Sequence, residues 1–150
     1  WIAVPECDAR RIAAATVGSS LDAIHHVALR RLCEGLRELG LLRASLDEIL
    51  EKELYKKYDP HRTSHWLGAD VHDLGRYMIN RVARPLEAGY VLTVEPGLYI
   101  PADDESAPAE LRGLGIRIED DVLVRAAGPE VLSAAVPKRV AEIEALLAVD

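Results

Sequence analysis

The chain has 150 residues, 49% hydrophobic and 29% charged, with a formal net charge of −7. That is the balance of a soluble globular protein with one sizeable core and no room for two ordinary domains. The acidic excess argues against nucleic-acid and anionic-membrane partners, which require a basic face, and no apolar run approaches the length of a membrane span.

Residues 5–17 are alanine-rich and read as the end of a helix closed by Gly18. Ser19 or Ser20 then caps a longer helix, with Asp22 placed to answer Ser19 as in a capping box. Leu21, Ile24, Ala28, Leu32, Leu36 and Leu39 recur at helical spacing, so one face of that helix is buried until Gly40 ends it. Ser45 and Glu48 form a second capping signature for a short helix towards Tyr55, and Asp59-Pro60 stops it. Arg76 to Gly89 reads as polar and irregular. Tyr90 to Glu95 is a clear strand interrupted by Pro96-Gly97, with Leu98-Tyr99-Ile100 continuing its apolar character. Residues 101–113 read as a solvated loop, 115–124 as a second strong strand, and Val131-Leu132 as a short one. Pro137 opens a final helix with apolar positions Val140, Ile143, Leu146 and Leu147. Helices first and antiparallel-looking strands after them suggest an α+β fold in which helices cover one face of a curved sheet. No repeat, linker or internal domain boundary is visible.

Cys7 and Cys33 are too few and too unpatterned for a disulfide framework or a zinc knuckle, so buried thiols are expected. No basic-then-apolar leader opens the chain, which makes a cytoplasmic location the default expectation. The first residue is Trp1 and the only methionine is Met78. A processed product, an expressed piece or an incomplete reading of a longer gene would each begin this way.

The chemistry concentrates between His61 and Gly75, which hold three of the five histidines, two aspartates and two glycines. Strand alternation puts Leu92 and Val94 on one face and Thr93 and Glu95 on the other. It likewise opposes Ile116 and Ile118 to Arg117 and Glu119. If the two strands are neighbours, Glu95 and Glu119 face one cavity, where a divalent cation would be the most effective counter-charge and His65 the nitrogen ligand. Taken singly, each residue has a plainer reading. Glu95 could be a solvent-facing strand glutamate, Glu119-Asp120-Asp121 a hydrated edge, His65 a satisfied core histidine and Trp66 a packing residue. His25 and His26 read as helix-surface or packing residues away from any cluster.

Three long motifs occur in one consistent order. They are His61-x-x-Ser64-His65-Trp66-Leu67-Gly68-x-Asp70-Val71-His72-Asp73-x-Gly75, the Pro85 to Ile100 stretch around Thr93-Val94-Glu95-Pro96-Gly97, and Arg112-Gly113-x-Gly115-Ile116-Arg117-Ile118-Glu119-Asp120-Asp121. Together they resemble the signature of the Xaa-Pro aminopeptidases, the aminopeptidase P group of the pita-bread metallopeptidases. The resemblance implies a curved antiparallel sheet with helices on its convex face and two divalent metal ions in the concavity. Manganese is the expected ion, with cobalt, zinc or iron compatible. It assigns His65, Glu95 and Glu119 as ligands, with Glu119 bridging and Glu95 also serving as general base. It places His61 and His72 in the substrate pocket, and Arg117 as the group holding the ligand carboxylates. The substrate it implies is a peptide with proline in second position.

The family needs two further aspartate ligands on a hairpin ahead of the first helix, and Asp8, Asp22 and Asp47 do not match them. Residues 1–150 are therefore expected to be a partial catalytic domain that binds metal weakly on its own. The longer parent could be a homo-oligomer. Arg62 stands where the family usually has glycine, adding bulk and charge beside His61. Two alternatives stay open on sequence alone: a prolidase-type dipeptidase on the same fold, and a non-catalytic pita-bread module that binds peptides or proteins.

Overall fold

A computed structural model describes residues 3–148. Helix α1 (Ala3–Ala14) packs along helix α2 (Leu21–Glu38). The turn between them is tied to the sheet side of the molecule, where Gly18 N–H donates to the Leu86 carbonyl and Leu86 N–H to that of Ser19. Helix α1 stops three residues short of the sequence expectation. The cap of α2 is Ser20, whose hydroxyl accepts from Ala23 N–H at 3.1 Å, so the Ser19–Asp22 box is not used. At the other end Gly40 takes a positive φ of 72°. Leu41 N–H then reaches Leu36 O and Gly40 N–H reaches Arg37 O, which satisfies the last free carbonyls of the helix. Ser45 caps α3 (Leu46–Glu51) through Glu48 N–H as expected, and a 3-10 turn at Leu54–Lys57 follows.

The stretch expected to be irregular contains a small hairpin, β1 (Met78–Ile79) against β2 (Val82–Ala83). Asn80 and Arg81 both adopt left-handed φ, 51° and 64°, the geometry of a two-residue hairpin turn. The principal strands are β3 (Val91–Val94), β4 (Gly97–Tyr99), β5 (Gly115–Arg117), β6 (Asp120–Leu123) and β7 (Glu130–Val131). Strand β3 pairs with β6, β4 with β5, and β6 with β7, all antiparallel. Val94 lies opposite Asp120 and Gly97 opposite Arg117, so a single register runs through both pairs. The result is one long ribbon interrupted at the same level on both strands, between Val94 and Gly97 and between Arg117 and Asp120. The single strand expected over 115–124 is thus two strands with a break at Ile118-Glu119.

The helices cover one side of this ribbon. Cys7, Leu29, Leu32, Cys33, Leu36 and Ile49 form a cluster with Tyr55, Tyr58, Leu98 and Ile100. A second cluster joins Leu21 and Ile24 to Trp66, Leu86, Leu92, Val94, Val122 and Val124. Both cysteines are buried free thiols, as the sequence suggested, and burial pushes each thiol up to about 12. The last helix, α4 (Val140–Leu147), begins three residues after Pro137, with Arg139 at its N-cap. Its apolar positions all remain exposed in the described structure, Leu146 at 69% and Leu147 at 73%. No helix among the described residues is long and apolar enough to cross a membrane.

The contrast between helices is measurable. Leu32 is fully buried, so Leu32→Ala should cost about 2–5 kcal/mol. Ile143→Ser on α4 should stay within about 0.5 kcal/mol of the parent. Urea-denaturation midpoints of the two variants test both expectations.

Candidate metal centre

The break in the ribbon is where the acidic side chains gather. Glu95 and Glu119 occupy opposed positions in the interrupted register, where Ile118 N–H donates to Pro96 O and the proline has no N–H to return. The Glu95 N–H, like that of Thr93, faces the other edge of β3 and donates to Thr63 O at 2.9 Å. Residues 63–67 run along that edge: Thr93 N–H donates to His65 O and Leu67 N–H to Val91 O, with Trp66 bridging to Leu92. His65 N–H completes the seam by donating to the Thr93 hydroxyl at 3.1 Å. A segment next to β3 and a strand on its other side thereby bring their side chains to one point.

His65 Nε2 lies 3.3 Å from Glu95 Oε1, and one ligand atom from each of His65, Glu95 and Glu119 falls within 4.8 Å of the others. This is the one such His/Cys/Asp/Glu group among the described residues. The imidazole is set for a metal. Its Nδ1 sits 2.9 Å from the Trp66 carbonyl, which can only accept, so Nδ1 carries the proton and the Nε2 lone pair faces the carboxylates. The carboxylates are set for a cation too. Glu95 is only 7% exposed, and burial, then the neighbouring Glu95 charge, push the Glu119 carboxyl up against the opposing pull of Arg117. One imidazole lone pair and two crowded carboxylates are the donor set of a divalent ion. The residues present fit one.

Arg117 is the one cation already there, its Nη1 3.5 Å from Glu95 Oε2. Burial works against its charge, but the Tyr99 hydrogen bond and the Glu95 and Glu119 charges outweigh it and push its pKa up. His61 stands on the far side of Arg117, with Nε2 3.0 Å from Arg117 Nη2 and 3.1 Å from the Tyr99 hydroxyl. His72 meets the site differently: it is exposed, and its ring lies edge-on to His65 with centroids 4.4 Å apart. The loop carrying it is closed by Asp73, whose carboxylate accepts from Ala69 N–H and whose own N–H donates to Trp66 O. Both motif glycines are demanded by this packing. A Cβ on Gly68 would sit 2.4 Å from Asp73 Oδ2, and one on Gly75 2.7 Å from the Trp66 ring. Trp66 itself packs between Tyr77 and Tyr90.

Two expectations change. Arg62 adds no bulk to the pocket, because its guanidinium reaches 2.7 Å to Asp22 at the start of α2 and that hydrogen bond pulls the Asp22 carboxyl down. His25 is not remote from the cluster: Nδ1 lies 2.8 Å from the Thr63 hydroxyl, and burial, then Arg11, push it down to about 4, so it is neutral. His26 is exposed beside Asp22, as read.

Three residues near the site carried no signal in the sequence. Arg11 on α1 is completely buried, donating from Nη1 to the same Thr63 carbonyl that accepts from Glu95. Asp59 is 2% exposed, with neither oxygen hydrogen-bonded, and burial pushes it up to about 6. Tyr99 read only as the end of an apolar run.

A histidine and two glutamates thus meet at a shared break in an antiparallel ribbon, with helices behind. The chain belongs to metallopeptidase family M24, whose sequence profile matches residues 1–126. It is similar to the Xaa-Pro aminopeptidase of Escherichia coli strain K12, at 46% identity over 130 residues, covering 87% of this chain and 29% of the relative. Its structure matches the Pseudomonas aeruginosa aminopeptidase PepP with a TM-score of 0.94 at 44% identity, over 98% of this chain and 33% of that one. It also matches aminopeptidase P from E. coli with the inhibitor Pro-Leu, with a TM-score of 0.90 at 42% identity, over 97% of this chain and 33% of that one. The chain thus spans about a third of the length of the relatives it matches.

The buried Asp59 gives a pH signature. Its carboxyl moves from an ordinary 3.8 to about 6 on folding, so between those values the folded protein holds a proton the unfolded chain has lost. Stability should therefore fall as pH rises from about 4 to about 6, by on the order of 3 kcal/mol. Asp59→Asn should make that slope shallower in a pH series of urea melts, the remainder coming from the buried Asp8, which is pushed up to about 7.

Proposed function

We propose that His65, Glu95 and Glu119 are metal ligands of a dinuclear Xaa-Pro aminopeptidase centre, completed by residues from the length of the relatives that this chain does not span. The observation that carries this reading is the convergence of the three ligand atoms within 4.8 Å at the break of the ribbon. Divalent ions bound there supply Lewis-acid polarisation of the scissile carbonyl and acidify the attacking water. Manganese is the proposed ion, since one imidazole among oxygen donors suits it.

This chain's own side chains do the rest. Glu95 accepts the proton of the attacking water, since its Oε1 faces the ion site while Oε2 is held by Arg117. Arg117 keeps that carboxylate oriented and offsets its charge. His72, exposed beside His65, reaches over the site to steady the developing tetrahedral centre. His61, turned towards Arg117 and Tyr99, lines the wall against which a substrate with proline in second position is held. The relatives named as Xaa-Pro aminopeptidases support the aminopeptidase reading over the dipeptidase one.

The experiment uses the full-length protein that carries this chain, loaded with Mn2+. It should release the first residue of an Xaa-Pro-Yaa tripeptide much faster than it splits an Xaa-Pro dipeptide. His65→Ala should abolish turnover, and Arg117→Gln should lower metal affinity or activity about 10–100-fold. Faster dipeptide cleavage would move the protein to the prolidase type. Metal-free peptide binding without turnover would make it a binding module. The 150-residue chain alone should bind Mn2+ weakly and turn over little substrate.

A further inference from the structure

Next to the metal centre the core turns polar. Among the described residues, five of the seven buried side-chain nitrogen and oxygen atoms without a hydrogen-bond partner belong to three residues. They are Asp8 Oδ1, Arg11 Nε and Nη2, and both carboxylate oxygens of Asp59. All three side chains are more than nine-tenths buried, Arg11 completely. Asp8 and Arg11 stand three positions apart on one face of α1, and Asp59 lies in the segment that leads into His61. Burial pushes both carboxyls up and the guanidinium down, with smaller opposing pulls between Arg11 and each carboxylate.

Arg11 makes one direct bond, from Nη1 to the neutral Thr63 carbonyl at 3.2 Å. A single bond to a neutral acceptor does not offset the burial of a guanidinium. The unused groups around it are complementary in kind: Nε and Nη2 can only donate, and the oxygens of ionised Asp59 can only accept. They do not bond to one another directly. Water accepts from a guanidinium and donates to a carboxylate at the same time, and a buried water commonly makes about three such bonds. The guanidinium repels a metal ion at this place, and the two carboxylates repel an anion. Water is the occupant that suits both charges.

We propose that Arg11 and Asp59, with Asp8 beside them, enclose a buried water site, and that Arg11, held by that water, is a positioning residue for the metal centre acting through the Thr63 carbonyl. The same oxygen accepts from Glu95 N–H at 2.9 Å, so it seats the backbone from which a proposed ligand projects. Asp59 and Thr63 stand two residues either side of His61, so the network grips the histidine segment at two points. Its effect on rate rests on the proposed peptidase reading, and the water site does not.

A high-resolution crystal structure of the full-length protein tests the site without any variant. An ordered water should lie within hydrogen-bond distance of both Arg11 and Asp59; a direct Arg11–Asp59 ion pair, or a dry gap between them, overturns the proposal. In urea melts of the same protein, Arg11→Met and Asp59→Leu should each lower the midpoint by leaving a buried charge alone. The double variant should lose less than the two single losses combined, and additive losses overturn the link. With Mn2+ bound, Arg11→Met should lower kcat about tenfold with KM little changed. Arg11→Lys, which keeps a donor for Thr63, should recover part of that loss. Leu32→Ala, destabilised in the helix core, should keep the parent kcat. A parent-like kcat in Arg11→Met, or an equal fall in Leu32→Ala, overturns the positioning role. If the full-length protein cleaves no Xaa-Pro peptide, the peptidase reading fails, and the ordered water and the melts still decide the site.

Discussion

The site depends on a crowding of negative charge. Two glutamates stand at the same level of an antiparallel ribbon, beside the gap that Pro96, without an N–H, leaves in the ladder. Burial raises the cost of leaving the Glu119 carboxylate charged. Arg117 offsets part of it from one side, and a divalent cation would offset it from the other. The gap in the ladder has its origin in the proline backbone, and the need for a cation in the crowded carboxylates beside it.

Around that point the chain builds a rigid frame. The Thr63 carbonyl accepts from Glu95 N–H, from the buried Arg11 guanidinium and from the Ser64 hydroxyl, tying β3, α1 and the histidine segment at one oxygen. His25 holds the Thr63 side chain from α2. The helices that form the core therefore also set the backbone from which His65 projects. Glycines at 68, 75 and 97 do the complementary work, clearing space for Asp73, Trp66 and Tyr99 to close against the main chain.

Much of this was legible in the sequence where one residue's role follows from spacing. Period-two alternation put Glu95 and Glu119 opposite the apolar faces that pack on the helices, and the three motifs carried the family and the fold. The break at Ile118-Glu119 was not legible within 115–124 itself; it answers Pro96 on the facing strand, which accepts from Ile118 N–H and has no N–H to return. The hairpin at 78–83 was missed because Asn80-Arg81 lacks the glycine that marks such turns. The burial of Arg11 and Asp59, the turning of Arg62 towards Asp22 and the reach of Tyr99 depend on residues 18 to 52 positions away. The apolar stripe of α4 misled in the other direction: the pattern of a buried face is present, and its residues are exposed in the described structure.

His61 and His65 share one local device, in which Nδ1 donates to the carbonyl of the very next residue, Arg62 in one case and Trp66 in the other. Such a bond needs only a suitable backbone at two consecutive residues, so it forms as soon as the segment adopts its shape. Each ring then arrives with its lone pair already facing inward. An incoming ion would find the nitrogen in the right prototropic form and would lose no affinity to tautomer selection. This pre-setting is portable, since neighbouring loops can change in length or composition without altering which edge of either imidazole is presented.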